Sequence, residues 1–443
     1  MQFESSRPLR VALVGEYPVN EDAILQGGVQ SVTYVLAHAL ASRLDVECHV
    51  VSAVNHATTT YRQVGELHVH YVKRLNLPRL VTLRVNDVPR LIPVIRSIKP
   101  DVVHGQGQDR HALAALGSRL PTVITPHGVV FIEGRLLQKS QWDVPGALKK
   151  RAVTSIEREV FRRSQDMIII SRYLPQTYGS MLTARSHFVE NPINEEYFHI
   201  QRAPEPGRML FVGAIVPRKS VHHIVRAIGQ VAHKRDAEAA SEEPWRSRLQ
   251  FRIAGPILDP GSEVEIRKAI QEYGLQESVK LLGPISREQL LDEYARAQVL
   301  LMGSREETTP QVIAQAMACG LPVIASRVGG IPDMVEDGRA ALLFPFGDVA
   351  ACAEHIRRML DDGAFRAEIE GTLRDQAQQR FHPQSVAAQT VSVYREIIAR
   401  NRNHQDDNRI DDRGSRLLPT IYESEYASFT TSPTTATFRG MPS

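Results

Sequence analysis

The residues of this sequence best suited to chemistry lie in one stretch, residues 303–338. Glu307 follows an apolar segment that is typical of a buried strand, and Thr309 stands just before a predicted helix over Gln311–Cys319. The first turn of a helix offers unpaired backbone N–H groups and a partial positive charge, and a threonine hydroxyl can add a donor. This arrangement suits a bound phosphate group, with a carboxylate nearby that can accept hydrogen bonds from hydroxyl groups.

A pair of glycines follows the next apolar segment of the same stretch. Gly329 and Gly330 could let the backbone approach an anion closely, because neither residue carries a side chain. The same residues also fit a strand–turn–helix in which the glycines only serve packing. From the residue types alone, a diphosphate site and a packing role are both open.

A second group with chemical potential lies in the segment Phe211–Ser220. Arg218 and Lys219 stand at the start of the helix that follows a predicted strand ending at Gly213. Two cations at this place could hold phosphate oxygens. They could also be an ordinary solvated pair at a helix start.

The first half of the chain carries two smaller signals. Gly27 and Gly28 open a predicted helix, without the G-x-G-x-x-G spacing that a dinucleotide site requires. His127 follows a predicted strand, within Thr125–Gly128. A lone histidine is more often structural, but ligands of open α/β sheets bind beyond the carboxyl ends of the strands.

The stretch 303–338, GSREETTPQVIAQAMACGLPVIASRVGGIPDMVEDG, resembles the signature of retaining family 4 glycosyltransferases, the glycosyl transferases group 1. The family pattern is Ser-x-x-Glu, then seven residues and Glu-Ala-Met-Ala, then Gly-x-Pro-Val-Ile-Ala and Gly-Gly-x-Pro-Glu. The resemblance covers roughly residues 8–400. It implies the GT-B fold, an α/β architecture in which two Rossmann-like, doubly wound parallel-sheet domains face a cleft and a C-terminal helix crosses back to the first domain.

The resemblance also implies roles for individual residues. Glu307 and His127 would lie beside the donor sugar as the catalytic residues, and Lys219 and Arg218 would bind the donor phosphates. The other positions that it implies are phosphate contacts at Gly28 and Thr309, nucleoside contacts at Gln315, Gly283 and Pro284, and donor-loop glycines at Gly27, Gly329 and Gly330.

Three departures from the family pattern affect this donor site. Gln315 stands where the family has a second glutamate that usually holds the ribose; a glutamine can still bind hydroxyls, but it loses about 1 kcal/mol of charge assistance. Ala214 stands where the family has an arginine, and Arg218 could supply the missing charge. The segment Thr308–Pro310 replaces the family's Gly-Phe-Gly.

The elements that must position these residues follow from the alternation of apolar segments with helical periodicity, which predicts parallel sheets covered by helices. The pattern restarts after Ala203–Gly207, a linker-like segment rich in proline and glycine. We therefore predict four regions: an N-terminal Rossmann-like acceptor-side domain over residues 1–203, a C-terminal nucleotide-sugar-binding domain over 204–382, a crossing helix over 383–400 and a disordered polar tail over 401–443.

Composition narrows the class of protein. The 443 residues are 42% hydrophobic and 23% charged, which is ordinary for globular proteins, and a net charge of +3 is too small to argue for nucleic acid. The three scattered cysteines, without a C-x-x-C or Cys/His cluster in the sequence, predict neither a disulfide framework nor a structural zinc site. We expect no signal peptide and no membrane span, and hence a cytoplasmic protein.

Basic side chains are concentrated in the first half of the chain. Residues 1–200 carry 23 Lys and Arg against 18 Asp and Glu, whereas the remainder carries 30 against 32. Residues 73–99 carry seven basic side chains against one acid, and residues 135–163 carry eight against three. These segments could rest on the anionic inner face of the cell membrane, as would suit a lipid-linked acceptor, or they could be solvated helix faces.

The function that we expect is transfer of a sugar, with retained configuration, from a nucleotide-diphosphate donor to a glycan, lipid-linked or small-molecule acceptor in polysaccharide or glycoconjugate biosynthesis. No Asp-x-Asp triplet occurs and the phosphate partners are side-chain cations, so we expect no catalytic metal and no cofactor. A nucleotide-sugar epimerase is one alternative, although no additional acid/base pair of carboxylates stands out. A non-catalytic sugar-nucleotide-binding protein is another, which Ala214 and Gln315 favour. The donor sugar, its nucleotide (UDP, GDP or ADP) and the oligomeric state are left open.

Overall fold

The structure is a computed structural model of the chain, and it describes residues 7–20, 27–55, 58–74, 85–129, 144–238, 248–335 and 339–414. For residues 144–150 and 404–414 it describes the backbone alone. The part of the predicted polar tail that follows residue 414 lies outside the described residues.

The first sheet contains eight strands: β1 (Leu9–Val14), β2 (Val46–Val54), β3 (Thr60–Val64), β4 (Leu67–Lys73), β5 (Val102–Gln106), β6 (Thr122–Thr125), β7 (Asp166–Ile169) and β8 (Arg185–Phe188). Their order across the sheet is β3-β4-β2-β1-β5-β6-β7-β8. Every neighbouring pair is parallel except β3 and β4. The central β1 and β5 are short apolar runs because helices cover both faces of the sheet, whereas β3 is polar and exposed at the edge and escaped prediction.

The second sheet contains six strands: β9 (Arg208–Val212), β10 (Gln250–Ala254), β11 (Val279–Gly283), β12 (Val299–Met302), β13 (Val323–Ser326) and β14 (Ala341–Phe344). Their order is β11-β10-β9-β12-β13-β14, and all pairs are parallel. The strand order reverses between β9 and β12 here, and between β1 and β5 in the first sheet. Loops that leave such switch points open a crevice at the carboxyl ends of the strands, which is the usual ligand site of doubly wound sheets.

The α-helices of the described residues are α1 (Gly28–Ala41), α2 (Val88–Ile98), α3 (Arg110–Gly117), α4 (Val144–Arg163), α5 (Tyr173–Tyr178), α6 (Val221–Glu238), α7 (Pro260–Glu272), α8 (Arg287–Arg296), α9 (Gln311–Cys319), α10 (Ile331–Met334), α11 (Val349–Asp361), α12 (Gly363–Arg380) and α13 (Pro383–Gly414). Local sequence explains several boundaries. Ser286 and Gln289 form a capping box at the start of α8, and Gly320, with a φ of 73°, ends α9 in the left-handed conformation.

The last helix carries the chain back onto the first sheet. Val386, Val391 and Tyr394 of α13 are buried in the same apolar cluster as Val11 and Val50 of the first sheet. Each such side chain contributes about 1.5–3 kcal/mol through its burial. The helix continues to Gly414, past the end predicted at residue 400.

Some of the described basic side chains of the first half have partners within the protein. Arg74 lies 4.0 Å from Asp87, and Arg96 donates to the carbonyl oxygen of Ser118. Arg79 lies outside the described residues, as do residues 135–143. Among the described helices, none combines the length and the apolar character that crossing a bilayer requires. Peripheral membrane contact stays a prediction.

Candidate active site

A buried carboxylate held by two cations forms the centre of the candidate site. Glu307, in the loop after β12, is only 6% exposed. The Lys219 ammonium donates to its Oε1 atom over 2.5 Å, and Nη1 of Arg218 lies 3.0 Å from its Oε2 atom. Burial by itself would raise the pKa of Glu307, but the charges of Lys219 and Arg218 outweigh it, so the pKa lies below its usual value and the group is ionised.

The loops after β9 and β12 meet because these strands flank the switch point of the second sheet. Lys219 ends a short 3-10 turn, Pro217–Lys219, and the amide of Arg305 donates to the carbonyl oxygen of Arg218 over 2.8 Å. Arg218 also donates to the carbonyl oxygen of Glu306 over 2.7 Å. The two adjacent cations therefore contact the same carboxylate. Sequence spacing alone did not decide whether the side chain of Arg218 points in the same direction as that of Lys219.

The glycine pair after β13 packs directly on the backbone that carries this carboxylate. Gly329 has a φ of +53°, and a Cβ atom there would lie 1.7 Å from the carbonyl oxygen of Glu307. A Cβ atom on Gly330 would lie 2.0 Å from the carbonyl oxygen of Thr308. The N–H of Gly330 donates to the carbonyl oxygen of Glu307 over 3.0 Å, so this amide positions the Glu307 loop and is not available to an anion. The packing role that the sequence left open is present for both glycines.

Two helix starts, one from each half of the chain, lie side by side near this loop. The residue before α1 is Gly27, with a φ of 92°, and the residue before α9 is Pro310; neither has a side chain that could cap its helix. A Cβ atom on Gly28 would lie 4.0 Å from Cγ of Gln311. Adjacent helix N-termini combine their partial positive charges, which favours a bound anion such as a diphosphate.

The predicted nucleoside contacts lie on helix α9, which carries Gln315, and at the end of β11. The hydroxyl of Tyr294 donates to Oε1 of Gln315 over 2.9 Å, which engages the amide oxygen and leaves the NH₂ group as the donor. Gly283 ends β11 with a φ of 66°, directly before Pro284, and its carbonyl oxygen accepts from the amide of Gly255. Among the described residues, neither Gln315 nor Gly283 shares a hydrogen bond or an ion pair with Glu307.

His127 is the half-buried end of a separate hydrogen-bond chain whose other members are buried. Its Nε2 atom lies 2.6 Å from Oε1 of Gln106, at the end of β5. Nε2 of Gln106 lies 3.0 Å from Nε2 of His104, and Nδ1 of His104 lies 2.6 Å from the hydroxyl oxygen of Tyr394. The chain thus runs from the candidate sugar-contacting histidine to helix α13.

This chain determines which nitrogen of His127 carries the proton. The amide oxygen of Gln106 can only accept, so Nε2 of His127 is protonated and Nδ1 keeps its lone pair. That Nδ1 atom is buried and has no hydrogen-bond partner among the described residues. Burial lowers the pKa of His127 to about 4, so the ring is neutral at neutral pH and offers Nδ1 as an acceptor.

Two members of this chain, Gln106 and Tyr394, were not among the site residues predicted from the sequence. A signal for Gln106 exists, since the segment Gln106–Gln108 follows a switch-point strand and places two amide side chains at its carboxyl end. For Tyr394 no local signal exists, because an aromatic residue on the apolar face of a helix is ordinary.

Replacing Gln106 with leucine should lower turnover about tenfold, because His127 loses the acceptor that selects its tautomer, and a factor of ten corresponds to about 1.4 kcal/mol. The measurement is the rate of donor turnover, together with ¹⁵N NMR of the His127 ring. Gln230→Leu, at an exposed position of α6, is the control. An unchanged tautomer and rate in Gln106→Leu would contradict the assignment.

Hydrogen bonds to Asp333 and Glu306 connect the first half of the chain to the surroundings of the candidate site. Asp333 accepts from the hydroxyl of Ser171 over 3.0 Å and from the amide of Tyr173 over 3.1 Å. The hydroxyl of Tyr173 donates to Oε1 of Glu306 over 2.6 Å. Asp333 therefore joins the two halves of the chain. Glu306, the residue next to Glu307, is held by Tyr173 of helix α5.

Comparison with known families finds two matches that follow one another along the chain. The model described as "Glycosyltransferase Family 4" matches residues 26–197, and the model described as "Glycosyl transferases group 1" matches residues 193–376. The first covers the described strands from β2 to β8, and the second covers the whole second sheet with Lys219, Glu307 and Gln315.

Individual relatives match over shorter stretches. A D-inositol 3-phosphate glycosyltransferase of a Nocardioides species is 32% identical over 203 residues, 44% of this chain and 42% of that protein. An MMP alpha-(1->4)-mannosyltransferase of Mycolicibacterium hassiacum is 28% identical over 310 residues, 68% of this chain and 71% of that protein. The chain thus spans less than half the length of the Nocardioides relative.

Solved structures share the architecture over nearly the whole chain. Sucrose-phosphate synthase from Thermosynechococcus elongatus superposes with a TM-score of 0.70 at 20% identity, over 88% of this chain and 100% of that one. Anabaena HepE in complex with UDP and glucose superposes with a TM-score of 0.62 at 18% identity, over 87% of this chain and 99% of that one. At these identities the likeness shows the fold, two parallel-sheet α/β domains, as predicted from the sequence.

Proposed function

Because this chain belongs to the glycosyl transferases group 1 and has their GT-B fold, we propose that it is a retaining glycosyltransferase. It would move a hexose from a nucleotide-diphosphate donor to a hydroxyl group of a glycan, lipid-linked or small-molecule acceptor. The observation that carries the proposal is the pairing of Lys219 and Arg218 with the buried Glu307.

The two cations would serve the leaving group. As the bond between the sugar and the diphosphate breaks, negative charge builds up on the phosphate oxygens. Lys219 and Arg218 can hold these oxygens, and the adjacent starts of α1 and α9 add backbone donors. Fixed charges that face the developing charge lower the barrier, because no solvent has to reorganise around it.

Glu307 and His127 would serve the sugar. Once the phosphates engage the cations, the carboxylate of Glu307 can accept hydrogen bonds from donor-sugar hydroxyls. The neutral His127 can accept another through Nδ1, which its bond to Gln106 leaves free of a proton. Both residues orient the sugar while the acceptor hydroxyl attacks on the face that the diphosphate leaves, and a departing phosphate oxygen takes the acceptor proton. The donor phosphates have cationic partners in this scheme, so we propose that the reaction needs no metal.

Two names among the relatives suggest where to begin the search for substrates. The Anabaena neighbour was solved with UDP and glucose, and the Nocardioides relative is named for D-inositol 3-phosphate. We therefore propose a UDP-hexose as the first donor to test, and a small polyol among the first acceptors. The location is proposed to be cytoplasmic.

The decisive experiment is donor-dependent release of nucleoside diphosphate by the purified chain. UDP-, GDP- and ADP-hexoses are tested in turn, with and without EDTA and with candidate acceptors, beside Glu307→Ala and Lys268→Ala, an exposed lysine of α7. We expect release from one donor that EDTA leaves intact and that Glu307→Ala abolishes while Lys268→Ala does not. Donor binding without release under all conditions would favour a binding protein, and a nucleotide sugar of altered configuration would favour an epimerase.

A further inference from the structure

A cluster of histidines lies on the first sheet at the ends of the strands opposite to the candidate active site. Glu47 and His49 stand near the start of β2, and His68 and His70 stand on the neighbouring β4, with His49 directly opposite His68 in the register. The active-site loops leave the carboxyl ends of the strands, so this cluster is a different place on the molecule. The sequence predicted no zinc site, and only strand pairing brings these residues together.

Three side chains of the cluster converge on one point. One oxygen of Glu47 and one ring nitrogen each of His49 and His68 all lie within 4.8 Å of one another. Nε2 of His49 is 2.9 Å from Oε1 of Glu47, and the rings of His49 and His68 are stacked with their centroids 4.6 Å apart. Two imidazoles and one carboxylate are a donor set that Zn²⁺ accepts, with water in the remaining position.

The other nitrogens of the two rings already have partners, as they do in metal centres. Nδ1 of His49 lies 3.1 Å from Nε2 of His70, and Nδ1 of His68 lies 2.7 Å from the hydroxyl oxygen of Tyr61 on β3. Without an ion, the carboxylate of Glu47 can only accept, so it keeps the proton of His49 on Nε2. An ion at Nε2 would move that proton to Nδ1, where Nε2 of His70 can accept it, and the hydroxyl oxygen of Tyr61 can accept from Nδ1 of His68.

We propose that Glu47, His49 and His68 bind one divalent transition-metal ion, in the first place Zn²⁺, with His70 and Tyr61 orienting the two imidazoles. The ion would connect β2 to β4. It takes no part in sugar transfer, so the inference does not depend on the proposed function.

Arg10 is expected to limit the affinity of this site for the ion. Its guanidinium donates to both oxygens of Glu47, over 2.9 and 3.0 Å. The carboxylate would therefore be shared between the ion and the guanidinium, and the two positive charges repel each other. We expect weaker binding than at a site whose carboxylate serves the metal alone.

The test is calorimetric titration of ZnCl₂ into the full chain after EDTA treatment and dialysis, with the absorption spectrum of bound Co²⁺ as a second readout. We expect one ion per chain, loss of at least a hundredfold in affinity in His68→Ala, and a loss of about tenfold in Tyr61→Phe, which removes only an outer partner. His199→Ala, at a histidine whose side chain is 73% exposed, should bind like the unaltered chain.

Two results would overturn the proposal. One is the absence of Zn²⁺ binding to the unaltered chain. The other is an affinity that stays the same in both His68→Ala and Tyr61→Phe, since that would place the ion elsewhere. If His68→Ala does not fold, Tyr61→Phe decides by itself, because Tyr61 is exposed on an edge strand and its ring is kept.

Discussion

Replacing Lys219 with alanine is expected to lower donor turnover by about 10²–10³-fold, the usual cost of removing one preorganised donor from a developing anion. The ammonium is mostly buried, and its closest partner is the Glu307 carboxylate at 2.5 Å. The substitution therefore removes a charge from both the leaving group and the carboxylate. The measurement is kcat and KM for donor hydrolysis or transfer.

The same substitution should also raise the pKa of Glu307 toward its ordinary value or above, because burial remains while one of two cations is lost. Ionisation of Glu307 favours the folded state only while its folded pKa stays below the unfolded one. Lys219→Ala should thus lose the stability that the unaltered protein gains above pH 4–5 from this group. Urea unfolding of both proteins at several pH values measures this pH-dependent difference in the free energy of unfolding.

Lys268→Ala is the matched control for both readouts. Its turnover should stay within about twofold of that of the unaltered protein, and its free energy of unfolding within about 0.5 kcal/mol. Full turnover in Lys219→Ala would remove the central support of the proposed function. A loss of stability without a loss of turnover would assign Lys219 to the structure alone.

Replacing Gly329 with alanine is expected to destabilise the protein by at least about 3 kcal/mol and to abolish turnover. The backbone has a φ of +53°, which costs an alanine about 1–2 kcal/mol, and the new Cβ would lie 1.7 Å from the carbonyl oxygen of Glu307. Either the loop after β13 or the Glu307 loop has to move. Urea unfolding and donor turnover give the two effects separately.

Gly371→Ala provides a contrast within the same half of the chain. Gly371 lies within α12, and a Cβ atom there would meet nothing within 4 Å, so alanine should stabilise the protein by about 0.5–1 kcal/mol. A Gly329→Ala variant of normal stability that fails to bind donor would show that Gly329 serves the ligand and not the packing of Glu307.

Local pattern was enough to predict ten of the fourteen described strands and the place of the Glu307 loop. Buried parallel strands are short apolar runs, and the composition of β1 and β12 is enough to predict them. The resemblance to the family signature assigned Lys219 and Glu307 to one site, and both follow strands whose carboxyl ends lie at the same edge of a sheet. The strands β3, β4, β8 and β14 were not predicted. For β3 the reason is that an exposed strand with one partner needs no apolar face.

Only the tertiary structure decided which side chains meet. Arg218 could have pointed into solvent, and its contact with Glu307 depends on the loop contact with Arg305. The proton position on His127 depends on Gln106, and the chain behind it ends at Tyr394, 290 residues from His104.

The histidine cluster is a second case in which only the tertiary structure brings side chains together. The pairing of β2 with β4 places His49 opposite His68, although no metal-binding spacing is visible in the sequence. Periodicity along a chain reports which face of an element is buried, because that depends on near neighbours. Hydrogen bonds, tautomers and shared ligands depend on partners far away in the sequence, and folding alone brings them within reach.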